Sequence, residues 1–271
     1  MSAAPESAPA TARTAPTGGL FLLGFATDFF DTLGIGSFAT TTAVLRLGRL
    51  IDDADIPGTL NVGHAIPTIS EAVIFIILLG GLIDLPTIVT MVIAAGIGAW
   101  FGAGVVARWP RRTIQRGMAI ALVITAGFMA VRMLLDLSHT AGTIGFSGVT
   151  LAVAVAASLV IGSLISLGIG NYAPTMAVTY LLGMNEKAVF PIMAASASLM
   201  LPVAAFRFYR AGRFNRRAAL GLAIGGVPGV FVAAFLVKEL PLTVVKWIVV
   251  GVLLYTAVTL WVASRNAANI A

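Results

Sequence analysis

Apolar stretches of about 20 residues follow one another through this chain without polar and apolar residues alternating, which leaves bilayer-crossing helices as its architecture. Two of the stretches are interrupted by the same four letters, Leu33-Gly-Ile-Gly36 and Leu167-Gly-Ile-Gly170. Glycine in a helix interior costs about 1 kcal/mol relative to alanine, so a Gly-x-Gly pair in mid-span reads as a place where the backbone opens. Polar residues crowd both breaks: Asp28, Asp31 and Thr32 before the first, Ser37 and Thr40 to Thr42 after it, Asn171 and Thr175 after the second. Glycine-broken apolar segments at matching positions of two halves point to a transporter binding site.

Composition sharpens this. Hydrophobic residues make up 59% and charged residues 10% of the chain, more apolar surface than a soluble fold can expose. The net charge of +6 reads as positive-inside loops and not as a nucleic-acid surface, so no nucleic-acid partner is expected. Cysteine is absent, which excludes disulfides and thiolate-held metals. The chain carries no Walker or dinucleotide glycine loop, no metal-binding histidine pair, and only His64 and His139 as histidines. These features predict no enzyme, no metal and no cofactor.

Residues 1–18, rich in Ala, Pro, Ser and Thr, read as a disordered tail without the basic and apolar regions of a signal peptide. A single transmembrane domain is expected over 19–264, followed by a short tail over 265–271. Its elements fall at about 19–47 (broken), 60–80, 85–107, 114–135, 149–183 (broken), 188–206, 218–237 and 242–262. They divide into repeats over about 19–135 and 149–264. In the register of the Leu-Gly-Ile-Gly match, Ala43-Val44 meets Ala177-Val178 and Thr41 meets Thr175; later, Gly96, Gly98 and Gly102 have counterparts in Gly225, Gly226 and Gly229.

Charge then sets the topology. The basic loops Arg108 to Arg116 and Arg207 to Arg217 should both face the cytoplasm. Three single crossings between them would put them on opposite faces. The conflict disappears if the element over 149–183 enters and leaves on one side as a V of two half-helices, and the same shape over 19–47 puts the Arg46/Arg49 linker inside. The expected fold class is an all-α integral membrane protein of two inverted-topology repeats, each a glycine-broken, re-entrant helix pair plus three transmembrane helices.

Each second half-helix would begin at its break and aim its free N–H groups at mid-membrane. Gly34, Gly36, Gly168 and Gly170 would open the backbone, and Ser37, Thr40, Thr41, Asn171 and Thr175 would present donors to an anion. The alternative is that these small residues only let helices pack closely. In the span over 60–80, Asn61, His64, Thr68 and Glu71 fall on one polar stripe of the helix, with Pro67 expected to kink it. Intramembrane ionisable residues usually face a bundle interior or a wet path, so His64 and Glu71 are candidates for a proton relay; a place near the membrane surface is the alternative for Asn61 and His64. Asp28 and Asp31 share one helix face and would exchange protons, gate, or cap the break structurally.

Three segments carry a family resemblance: Gly24-Phe-Ala-Thr-Asp-Phe-Phe-Asp-Thr-Leu-Gly-Ile-Gly-Ser37, the stretch from Pro57-Gly-Thr-Leu-Asn61 to Glu71, and Gly162-Ser-Leu-Ile-Ser-Leu-Gly-Ile-Gly-Asn171. Together they resemble the paired motifs of the TauE/SafE sulfite exporter family over most of residues 19–264. Many members have a run of glycines followed shortly by a proline; here only the second copy keeps one, Pro174. The resemblance implies a multi-pass inner-membrane permease moving sulfite, thiosulfate or organosulfonates; joined to the inverted repeats and the intramembrane Asp, His and Glu residues, it gives the expectation of an exporter working by alternating access, with proton coupling. Its expected partners are a small anion and membrane lipid, in a monomer or a homo-oligomer. Two other readings stay open at this point: a cation or metal carrier built on Asp28, Asp31, His64 and Glu71, and a non-transporting membrane scaffold.

Overall fold

The computed structural model describes residues 17–79, 84–135, 142–167, 170–236 and 243–266, and among them the chain is all-helical. The elements are α1 (Thr17–Thr32), α2 (Ser37–Leu47), α3 (Ile56–Gly63), α4 (Ala65–Leu79), α5 (Leu85–Val106), α6 (Arg111–Leu135), α7 (Gly148–Ile165), α8 (Tyr172–Leu181), α9 (Glu186–Ala211), α10 (Arg216–Leu236) and α11 (Thr243–Asn266). Among the described residues α5, α7, α9 and α10 are each long and apolar enough to cross a membrane, and α3 with α4 forms a fifth such unit, bent by 41°.

Both broken elements are interrupted where the glycines fall. The first break is a Schellman ending: the Gly34 amide donates to the Asp31 carbonyl at 2.7 Å and the Ile35 amide to the Phe30 carbonyl at 3.0 Å. Gly34 takes the left-handed conformation this motif requires, with φ 85°. Gly36, at φ 93°, then turns the chain into α2. In the second break Gly170 also has positive φ, whereas Gly168 lies outside the described residues.

The span expected over 60–80 differs. Its helix begins a turn earlier, at Ile56, and breaks at His64 rather than at Pro67. The proline explains the shift, since its ring excludes the carbonyl of the residue four positions back, Gly63, and the ladder parts there. Asn61 therefore belongs to a different helix from Thr68 and Glu71, and the continuous polar stripe expected from helical spacing is divided at the bend.

Packing between the halves is reciprocal. Helix α1 runs along α10 and α7 along α5; α2 touches α11 and α8 touches α6; α4 lies on α9 and α6 on α11. The glycine clusters explain the closest of these crossings. A Cβ on Gly225 or Gly229 would collide with the carbonyl oxygen of Phe21 or Phe25 on α1, and one on Gly98 or Gly102 with that of Leu159 or Ser163 on α7. Gly24 and Gly162 face the carbonyls of Leu222 and Ala95 in return. Small residues let membrane helices approach backbone to backbone, and here they do so in both halves.

One end of the molecule gathers the basic loops. Arg46 pairs with Asp53 at 3.2 Å, Gln115 donates to Asp53 at 2.7 Å, and Arg111 lies 3.4 Å from Asp52. Arg213 sits 3.8 Å from Asp55, and Arg217 donates to the Thr17 hydroxyl at 2.9 Å. Burial lifts the Asp55 carboxyl above its usual range; nearby Asp52 adds to this and Arg213 opposes it. Both ends of the first broken element, Thr17 and Arg46, thus lie with the two basic loops. The second broken element starts and finishes elsewhere, beside the beginning of α5. The Phe146 amide donates to the Thr87 hydroxyl at 2.8 Å, and Thr143 exchanges backbone hydrogen bonds with Gly183 and Asn185 at 3.0 and 2.9 Å.

Candidate functional site

The two breaks meet at one small cavity. It is lined by Asp31, Gly36, Ser37 and Phe38 from the first, by Gly170, Asn171 and Tyr172 from the second, and by Thr68, Thr125, Ile165, Ala197 and Leu201 around them. Its free space, about 20 Å³ for the centre of a water-sized sphere, is room for about one water molecule. The breaks approach closely, for a Cβ on Gly170 would lie 3.6 Å from that of Phe38.

The start of α2 is occupied by the chain's own carboxylate. The Ser37 amide donates to Asp31 Oδ1 at 3.0 Å and the Ser37 hydroxyl to Oδ2 at 2.8 Å. Gly36, at the N-cap, has no side chain to do this, so Asp31 reaches across the break to satisfy the helix end. Three residues earlier, Asp28 lies 2.9 and 3.0 Å from His64 Nδ1, and the other ring nitrogen, Nε2, lies 3.1 Å from the Thr41 hydroxyl. All three are buried. A neutral imidazole donates to Asp28 from Nδ1 and accepts from Thr41 at Nε2; an imidazolium donates to both. The bend at His64 presents the ring in this way, with Phe38 packed 5.7 Å from it.

Glu71, on α4, and Tyr172, at the start of α8, face each other across the two halves. Both are buried, 1% and 5% exposed, and neither carboxylate oxygen nor the phenol closes a hydrogen bond of good geometry. A buried polar group left in this state costs about 1–3 kcal/mol. Such groups ask for a functional reason.

The remaining residues singled out from sequence divide. Thr68 lines the cavity and donates to the His64 carbonyl at 2.7 Å. Asn171 lines it too, but its amide donates to the Met193 carbonyl at 2.7 Å and its carbonyl accepts from Thr175 at 2.7 Å, so both groups are engaged within the protein. Thr40 back-bonds to the Gly36 and Ser37 carbonyls at 3.0 and 2.9 Å, and Asn61 to the Pro57 carbonyl at 2.8 Å; neither lines the cavity. Asn61 and His64 are fully buried inside the bundle and not at its surface. Tyr172 and Thr125 line the cavity without having been singled out. Among the described residues no three His, Asp or Glu side chains are placed to hold a metal ion.

The model of the family described as sulfite exporter TauE/SafE matches residues 149–270, the stretch from α7 to the end of α11. This is the family that the glycine-break motifs resemble. No curated protein and no solved structure matches the chain.

Proposed function

With residues 149–270 a TauE/SafE domain and the chain a multi-pass membrane protein, we propose that it is a permease for small sulfur-containing anions, an exporter of the sulfite, thiosulfate or organosulfonate class. The observation that carries this reading is the cavity. Two glycine breaks, one from each half, border a single buried space where the start of a helix already holds an anionic group.

The reciprocal packing is what favours alternating access. The first broken element has both ends at the basic end of the bundle, the second has both beside the start of α5, and each half packs on the other's equivalent helices. This supports inverted repeats that rock about the cavity. In this conformation, room for about one water cannot hold a sulfur oxyanion, so substrate entry requires a change of shape. The Asp28–His64–Thr41 chain supports proton coupling, because it offers a buried acid and base in hydrogen-bond reach.

The test is transport by purified protein in liposomes. Inward or outward flux of radiolabelled thiosulfate or sulfite down an imposed gradient, absent from empty vesicles, is the expected result. Intact protein that moves neither anion would favour the scaffold reading. Thermal stabilisation by divalent cations in place of oxyanions would favour a cation carrier.

A further inference from the structure

We propose that Asp31 is a built-in stand-in for the transported oxyanion: substrate and the Asp31 carboxylate exchange places at the start of α2 with uptake of one proton. This rests on the permease reading above and adds to it how the anion is recognised and how proton and anion are linked.

The fork at Ser37 holds two oxygens carried by one atom. One is taken by the backbone amide at 3.0 Å, the other by the side-chain hydroxyl at 2.8 Å. Sulfite, thiosulfate and sulfonates each present at least two oxygens on one sulfur and can span the same pair of donors. A halide accepts from both donors at a single point and has no further oxygen to offer a third. The second observation is Tyr172: its hydroxyl is buried, lies on the same cavity and closes no hydrogen bond of good geometry. A phenol is a donor: it faces the Glu71 carboxylate and can turn instead to an oxygen that the Ser37 fork leaves free. Ser37 from the first half and Tyr172 from the second would then grip one anion between the halves.

Exchange, rather than joint binding, follows from space and charge. The cavity has room for about one water while Asp31 is in place, and two anions at one helix start repel. The groups that face Asp31 do not offer its carboxylate a new home. Asp28 on the same helix and Glu71 on α4 are acids, Tyr172 on α8 is a phenol, and His64 is already engaged by Asp28. Helix α10, which packs along α1, is without titratable residues from Ala218 to Leu236. Asp31 therefore leaves as the neutral acid: its carboxylate takes one proton, so a monoanionic sulfonate leaves the net charge at the helix start unchanged and dianionic thiosulfate makes it more negative by one.

The test uses full-length protein in detergent with thiosulfate, whose own charge is constant over about pH 5 to 8. Wild type should take up one proton per thiosulfate bound, read with an indicator dye in weakly buffered solution, and its affinity should tighten up to about tenfold per unit fall in pH. Asp31→Asn should bind thiosulfate without proton uptake and with no pH slope. Ser37→Ala, which removes one arm of the fork, should weaken binding about tenfold and keep the proton stoichiometry. Binding to wild type without proton uptake overturns the proposal, as does an Asp31→Asn slope equal to that of wild type. Should Asp31→Asn not fold, the wild-type stoichiometry decides. If wild type binds neither thiosulfate, sulfite nor methanesulfonate at any pH, the permease reading itself falls.

Discussion

Gly226 on α10 lies directly against the carboxylate of Asp28, so close that a Cβ there would overlap Asp28 Oδ2 and the ring of Pro67. The hydrogen at this position is thus what lets Asp28 stand 2.9 Å from His64. Gly226→Ala should push the carboxylate off the imidazole, reducing flux at least about tenfold for a stability cost of about 1–3 kcal/mol. Liposome flux and a detergent melt check both; full flux in the variant would show that the Asp28–His64 pair is not used.

Tyr172 offers the opposite separation of stability from function. Its hydroxyl is buried and faces Glu71 without a well-formed hydrogen bond, so Tyr172→Phe removes a poorly satisfied group while keeping the ring. Melting temperature should hold or rise, because a polar group replaced by an apolar one of like shape is near neutral or better when the original was unpaired. Flux should nevertheless fall about tenfold. A variant that loses stability instead would show that the phenol has a structural partner.

Much of this arrangement is legible in the sequence, and the exceptions have physical reasons. The helices follow from apolar length, and the breaks from glycines that must take positive φ. The start of α3 is hidden because Pro57-Gly58 looks like loop punctuation. In fact Pro57 sits in the first turn of the helix, where a missing N–H costs nothing, and a Cβ on Gly58 would collide with the carbonyl of Arg213. The hydrogen bonds from Ser37 to Asp31 span six residues across a glycine turn, outside the spacings at which helix caps are read from sequence. Glu71 and Tyr172 are brought together only by the packing of the halves. Asn171 stands at the break as expected, but its bonds to Met193 and Thr175 engage its amide within the protein, which helical spacing alone does not reveal.

At the basic end, the raised Asp55 carboxyl makes a pH prediction. Its folded form holds a proton more tightly than the unfolded chain does. The folded state is therefore favoured below the ordinary carboxylate range, about pH 4, and loses this contribution as pH rises through the folded value. Asp55→Asn should match wild type in acid and melt higher near neutral pH. A lower melting temperature at neutral pH would mean that the attraction of Arg213, 3.8 Å away, outweighs the burial of the charge.

The reciprocal helix crossings predict that equivalent substitutions in the two halves behave alike. A Cβ on Gly225 meets the Phe21 carbonyl, and one on Gly98 meets the Leu159 carbonyl. In each case backbone, not a flexible side chain, stands in the way, so the helices must separate. Gly225→Ala and Gly98→Ala should each destabilise the protein by about 1–3 kcal/mol, by loosening α1 from α10 and α7 from α5 respectively. Neither glycine lines the cavity, so flux per folded molecule should be far less affected than in Tyr172→Phe. Reversible unfolding in mixed micelles, compared with liposome flux normalised to folded protein, measures the two quantities apart. A large loss in one variant with none in the other would show that the crossings are not equivalent, and the case for halves that rock about a common cavity would lose its packing argument.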